Sequence, residues 1–265
     1  MPFVETARVP FYIIDQRRYP DALPLVLIHG AGGSHLDWPI ALRRLPGANL
    51  VLPDLPGHGK SPLPGRDSIA AYAADVMALL DALGIERAIF VGHSMGGGVA
   101  LQLALDDAER AAGLVLVGTG AKLGVSPEIM DRLQVDQAGV ANLLAEWYWS
   151  ADTPPERRAL TVQYLLAQSV ELLYNDYLAC TRFDVRQRLP EIRVPTLIFA
   201  ATEDRMTPLK FGQYLQINIS GAELVTLEGA GHMMALEQPQ QVVEAVQAWL
   251  HTHFLGERNL PTCSA

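Results

Sequence analysis

Apolar positions along the chain fall into two alternating rhythms. The unbroken runs Leu25-Val26-Leu27-Ile28, Leu50-Val51-Leu52, Ile89-Phe90-Val91 and Gly113 to Val117 have the composition of strands buried on both faces. Between them, Ile69, Tyr72, Val76, Leu79, Leu80 and Leu83 recur at three- and four-residue spacing, and Gly84 closes that helix. A further helical run, Val99 to Leu105, follows the Ile89 strand, and Ile40 to Leu45 reads as a short helix. At the start, Val4 to Val9 and Phe11 to Ile14 read as an antiparallel edge pair broken at Pro10. Strands alternating with helices predict a mostly parallel sheet with helices on both faces.

After Gly118 the alternation stops. From about Ala121 to Pro190 the pattern is helical only, carrying Leu143, Leu144, Trp147 and Tyr148, then Leu160, Tyr164 and Leu165, then Leu172, Leu173 and Tyr177. Pro195 to Ala200 then restarts the strands, Pro208 begins another helix, and Glu223 to Leu227 makes the last strand. The closing helix buries Val242, Val243, Val246, Trp249 and Leu250. This predicts one α/β core, residues 1–120 and 191–255, with a helical cap, 121–190, inserted after the sixth strand. Residues 256–265 read as a loosely held tail.

Composition narrows the function. With 265 residues, 49% of them hydrophobic and 18% charged, the chain is long and apolar enough for one large core. A formal net charge of −9 disfavours nucleic-acid binding, which needs basic surface. No run approaches the roughly 18 apolar residues of a membrane span, and the first residues lack the basic and apolar regions of a signal peptide. Cys180 and Cys263 lie far apart and form no metal or redox spacing. A cytoplasmic protein without nucleic-acid or membrane partners is expected.

The chemistry concentrates at strand ends. The Ile89 strand runs into Gly92-His93-Ser94-Met95-Gly96-Gly97, a strand–turn–helix junction with a serine at its apex, the arrangement of a nucleophile elbow. The Leu25 strand runs into His29-Gly30-Ala31-Gly32-Gly33, whose backbone N–H groups, Ala31's above all, are suited to an oxyanion. That loop lacks the Lys-Ser/Thr ending of a phosphate-binding P-loop. In Asp54-Leu55-Pro56-Gly57-His58-Gly59-Lys60-Ser61 the polar side chains lie close enough together to bond one another and the local backbone, a structural loop. Asp204 and His232 also stand just past strand ends, so Ser94, Asp204 and His232 follow strands in that chain order.

On these motifs, which cover essentially the whole chain, the sequence resembles the α/β-hydrolase superfamily, in its branch of capped small serine esterases. The resemblance implies the α/β-hydrolase fold and a triad of Ser94 as nucleophile, His232 as base and Asp204 as its orienting acid, with Glu203 the outside candidate for that last place. It implies an oxyanion hole of the Ala31 and Met95 backbone N–H groups, and no metal or organic cofactor. A serine at the elbow disfavours haloalkane dehalogenases and epoxide hydrolases, which place an aspartate there. The expected reaction is cleavage of a small-molecule carboxylic ester with a small to medium apolar acyl group. Trp38, Trp147 and Trp149 are the candidate substrate contacts, each of which could equally be core. A carbon–carbon bond hydrolase, with Arg182 or Arg186 binding a carboxylate, is the second enzyme reading. A ligand receptor that keeps the triad is the reading from another class.

Overall fold

The computed structural model describes residues 2–20 and 22–255. Eight strands form one sheet: β1 (Phe3–Val4), β2 (Phe11–Asp15), β3 (Pro24–Ile28), β4 (Asn49–Pro53), β5 (Ala88–His93), β6 (Ala111–Val117), β7 (Thr196–Ala201) and β8 (Glu223–Leu227). Their order is β1-β2-β4-β3-β5-β6-β7-β8, antiparallel over the first two pairings and parallel thereafter. The helices are α1 (Ile40–Arg43), α2 (Ile69–Ala82), α3 (Met95–Asp106), α4 (Pro127–Leu133), α5 (Gln137–Tyr148), α6 (Pro155–Ala167), α7 (Val170–Arg182), α8 (Lys210–Asn218), α9 (Met234–Glu237) and α10 (Pro239–Leu250). Among the described residues, no helix is long and apolar enough to cross a membrane. The expected loose tail, and Cys263 within it, lie outside the described residues.

Alternating side chains on each strand feed two cores. Val26 and Ile28 of β3 pack with Val51 and Phe90 against α2, α3 and α8; Leu25 and Leu27 pack with Leu52 and Val91 against α1 and α10. A third core, built on Val140, Leu144, Leu165, Leu173 and Tyr177, belongs to helices α4 to α7 between β6 and β7. Of the elements that depart from the expected boundaries, two lie beside a local hydrogen-bonded turn. The first strand is only Phe3–Val4, because the Thr6 hydroxyl donates to the Val9 carbonyl and accepts from the Arg8 and Val9 amides, turning the chain. The helix expected at Pro208 begins at Lys210, since the amides of Met206 and Thr207 are bound to the Asp204 carboxylate.

The strand ends meet through glycine. A Cβ on Gly96 would run into the carbonyl oxygens of Ile28 and His29, and one on Gly92 into the carbonyl of Gly96, so α3 starts in backbone contact with the end of β3. Two buried histidines brace the same ends. His29 Nδ1–H donates to the Gly30 carbonyl at 2.8 Å while its Nε2 accepts from the Leu55 amide at 3.0 Å. His93 Nε2–H donates to the His232 carbonyl at 3.0 Å. Burial holds both imidazoles down at about 3, with neighbouring His58 and His232 acting in the same direction.

Gly96→Ala should lower the free energy of unfolding by at least about 3 kcal/mol, because backbone stands where the methyl must go. Gly84→Ala, at φ +63° but with open space around it, should cost only about 1–2 kcal/mol. Equal losses in urea melts would remove the close approach as a constraint. The depressed histidines make a second prediction. In the unfolded chain they take up protons near pH 6.5, roughly the free value, which the folded chain refuses until about pH 3. Their contribution to stability is therefore complete above about pH 6.5 and lost as pH falls towards 3, on the order of several kcal/mol in total. Urea melts across that range should show the loss, and His93→Gln should flatten part of it. A slope unchanged in the variant would contradict the assignment.

Candidate active site

Ser94 links β5 to α3 with φ 53° and ψ −117°, the only non-glycine residue at positive φ among those described. Such a conformation costs on the order of 1–3 kcal/mol and persists only where its surroundings over-determine it. Here they do. The Ser94 amide donates to the Val117 carbonyl at 2.9 Å. Its carbonyl accepts the Thr119 hydroxyl at 2.8 Å and the Gly97 and Gly98 amides at 2.9 and 3.3 Å. A trans peptide points its N–H opposite to its C=O, so anchoring the Ser94 carbonyl directs the Met95 N–H the other way. The Gly30 carbonyl is anchored likewise, by the Gly33 amide at 3.1 Å and by His29, which directs the Ala31 N–H. Neither of these two N–H groups has a hydrogen-bond partner among the described residues.

His232 and Asp204 stand on the loops after β8 and β7. His232 Nδ1 lies 2.9 Å from Asp204 Oδ2, both side chains almost wholly buried. The carboxylate also accepts the Thr207 hydroxyl on Oδ2 and the amides of Met206 and Thr207 on Oδ1, each at 2.8 Å. Burial alone would raise its pKa, but the His232 charge and the bonds from His232 and Thr207 hold the carboxyl below its ordinary value. Asp204 therefore stays a carboxylate that fixes the imidazole's orientation and tautomer. Glu203 points elsewhere: its carboxylate accepts the Ala151 amide at 2.8 Å. The Tyr148 ring covers His232 at 5.7 Å between centroids, and its carbonyl accepts the Met233 amide at 2.9 Å.

Ser94, His232 and Ala31 line one cavity of about 420 Å³. Its walls beyond the strand ends come from the helical insertion: Tyr148, Trp149, Arg157, Leu160, Thr161, Tyr164 and Leu165. The lining is mixed: Leu160, Leu165, Met233 and Leu236 are apolar, while Arg157, Thr161, Ser94 and His232 bring polar groups to the same space, the composition of a small-molecule site. Asp37 also faces it, its carboxyl pushed up to about 6 by burial and the Asp54 charge, against a bond from the Ser34 amide.

The three tryptophans divide. Trp149 lines the cavity, its indole N–H donating to the Thr161 hydroxyl at 2.8 Å and its face carrying the Arg157 guanidinium 5.4 Å from the ring centroid. Trp38 and Trp147 do not line it. A capping box between Ser34 and Asp37 forms a short turn that rotates Trp38 into the core under α1 and α10, where it is 1% exposed. Trp147 packs half-buried against the insertion's own core. Arg182 and Arg186 pair with Asp67 and Asp184 and are likewise absent from the cavity wall.

Four contributors were not singled out in the sequence: Thr119, Thr207, Arg157 and Asp176. Asp176, on α7, is fully buried. Its Oδ1 accepts the Tyr72 hydroxyl at 2.6 Å; its Oδ2 accepts His58 Nε2–H and the Gly32 amide, each at 2.7 Å. The Asp54 loop makes the local bonds expected of it, from the Lys60 amide and the Ser61 hydroxyl to Asp54, but is also tied to partners outside it: His35 on Asp54 and Asp176 on His58. A signal for Asp176 existed. It shares the face of α7 that buries Leu172, Leu173, Tyr177 and Cys180, an odd place for a carboxylate without a partner.

Comparison with known proteins bears on the chain as a whole. The 3-oxoadipate enol-lactonase 1 of Acinetobacter baylyi is 29% identical over 234 residues, 85% of this chain and 88% of that one. A putative carbamate hydrolase, RutD, of Pseudomonas syringae pv. syringae is 32% identical over 252 residues, 89% and 96% of the two chains. A solved thermophilic esterase superposes with a TM-score of 0.83 at 31% identity, over 95% of this chain and 97% of its own. A model of the alpha/beta hydrolase family matches residues 25–245, and the chain belongs to that family.

Proposed function

We propose that this hydrolase cleaves carboxylic esters of small to medium, largely apolar acyl groups through an acyl-enzyme intermediate. What carries the reading is the meeting, at one cavity, of a strained serine, a histidine oriented by a buried carboxylate, and an unpartnered amide N–H from the glycine loop. In the proposed sequence Ser94 Oγ attacks the ester carbonyl as His232 Nε2 takes its proton. Asp204 holds the Nδ1–H and stabilises the imidazolium that forms. The tetrahedral oxyanion is received by the Ala31 and Met95 N–H groups, each such donor being worth about 3–4 kcal/mol. His232 then protonates the departing alkoxide, and a water activated the same way releases the acid and restores Ser94.

Apolar wall residues Trp149, Leu160 and Leu165 support an apolar acyl group. A lactone, which is a cyclic ester, is the second reading, favoured by the likeness to an enol-lactonase. For the carbon–carbon bond reading, Arg182 and Arg186 pair with Asp67 and Asp184 away from the cavity, and Arg157 is the arginine that lines it.

Ser94→Ala should fold, lose labelling by a fluorophosphonate probe and lose about ten-thousandfold or more in kcat on p-nitrophenyl butyrate. Labelling that persists at another serine would move the nucleophile, and a wild-type protein without turnover would favour the receptor reading. Trp149→Ala should shift the preferred acyl chain by at least one or two carbons, roughly a tenfold or larger change in relative kcat/KM per methylene. Trp147→Ala should leave that preference where it is. A chain-length profile altered by Trp147→Ala and not by Trp149→Ala would overturn this view of the acyl site.

A further inference from the structure

We infer that Arg157 makes the enzyme selective for esters whose acyl chain ends in a carboxylate, the half-esters of dicarboxylic acids. The inference rests on the reading of Ser94 and the acyl wall given above, and narrows it to one substrate class. The methylenes of the chain lie along the apolar wall, and its charged end meets the guanidinium.

Arg157 stands apart from the other arginines of the insertion. Arg132, Arg158, Arg182, Arg186 and Arg188 each pair with a carboxylate. Arg157 lies on the cavity wall, and its side chain has neither an ion-pair nor a hydrogen-bond partner among the described residues. It is held in place all the same. Its guanidinium sits over the Trp149 ring, 5.4 Å from the centroid, and that ring is fixed by its indole N–H on the Thr161 hydroxyl at 2.8 Å. The Thr161 hydroxyl in turn donates to the Arg157 carbonyl at 3.0 Å, which ties ring and arginine to one turn of α6. A guanidinium presents five N–H donors in a fork that matches a carboxylate, and here that fork has no acceptor from the described residues.

The position suits the far end of an acyl chain. Arg157, Leu160, Thr161, Tyr164 and Leu165 recur at helical spacing, so one face of α6 runs along the cavity. Arg157 and Tyr164 are two turns apart on that face, about 10 Å at the helical rise of roughly 1.5 Å per residue. Asp37 marks the Tyr164 end, where burial and the Asp37 charge together push the Tyr164 phenol up. Asp37 also packs against Gly33, where an added Cβ would meet its Oδ2. Among the residues lining the cavity, Asp37 is the one acid and Arg157 the one side chain that is cationic at every ordinary pH. A substrate carboxylate is therefore turned away from the glycine loop and towards the first turn of α6. Arg157 is exposed, so that charged end keeps part of its hydration and escapes the cost of full burial. The buried Trp149 and Leu165 side chains on the same wall meet the methylenes.

Monomethyl succinate, glutarate and suberate, each compared with its terminal amide, separate charge from shape. Near neutral pH the full-length wild type should favour the carboxylate over the amide in kcat/KM by about tenfold or more at the best chain length, chiefly through KM. Arg157→Gln should bring that ratio close to one. Arg157→Lys, which keeps the charge without the fork, should retain part of it. Arg132→Gln, which removes an equal charge from the insertion's surface, should leave the ratio as it is. Each ratio compares two substrates on one protein, so damage to folding or to the triad cancels from it. A wild type that turns over p-nitrophenyl butyrate yet treats acid and amide alike at every length would overturn the inference alone. So would an unchanged ratio in Arg157→Gln, or one that falls equally in Arg132→Gln. Wild-type protein that a fluorophosphonate does not label at Ser94 would overturn the reading beneath it.

Discussion

Everything at the candidate site depends on one steric fact: at Gly96 the first turn of α3 lies directly against the carbonyls that end β3. Only two backbones without an intervening side chain can approach so closely. That contact sets the Ser94 turn beside the Gly30–Gly33 turn, so the proposed nucleophile and the proposed Ala31 donor share one position in space although more than sixty residues separate them in sequence. The strained φ of Ser94 follows from it, because the chain must rise out of β5 and enter the helix without room for a gentler path.

The polar groups then act by a common rule. In each case a carbonyl or carboxylate is anchored on the side away from the cavity, and the active group is aimed as a consequence. Thr119 and the Gly97 amide anchor the Ser94 carbonyl, His29 and the Gly33 amide anchor the Gly30 carbonyl, and Thr207 anchors Asp204 beneath His232. Burial strengthens these bonds by lowering the local dielectric and keeps His29 and His93 neutral, so their donor and acceptor roles do not change over ordinary pH. A site preorganised in this way needs little rearrangement when charge develops.

The fold was legible because buried parallel strands and amphipathic helices leave different periods, and because Gly92, Gly96 and Gly32 occur where turns need them. Ser94, Asp204 and His232 stood out as polar residues at strand ends. What could not be read was whatever depends on distant partners. Asp176 meets Gly32 across 144 positions. Trp38 looked like a cavity residue because it follows the glycine loop, yet a single capping turn redirects it to the core. The Thr6 turn shortened β1 by the same kind of local competition, a hydroxyl offering the backbone an alternative to the sheet.

The insertion is stitched to the loops that bear His232 and Asp204. Glu237 accepts the Ser150 and Gly231 amides and the Thr153 hydroxyl, Glu203 accepts the Ala151 amide, and the Tyr148 carbonyl accepts the Met233 amide. A Cβ on Gly231 would lie within 3 Å of the Trp149–Ser150 backbone, so the two chains touch directly. The insertion is therefore not a detachable module. Grafting a relative's helices between β6 and β7 to acquire a new specificity would import acyl contacts while severing these seams. A successful chimera would have to carry the insertion, the glutamates and the histidine loop across as one inherited block.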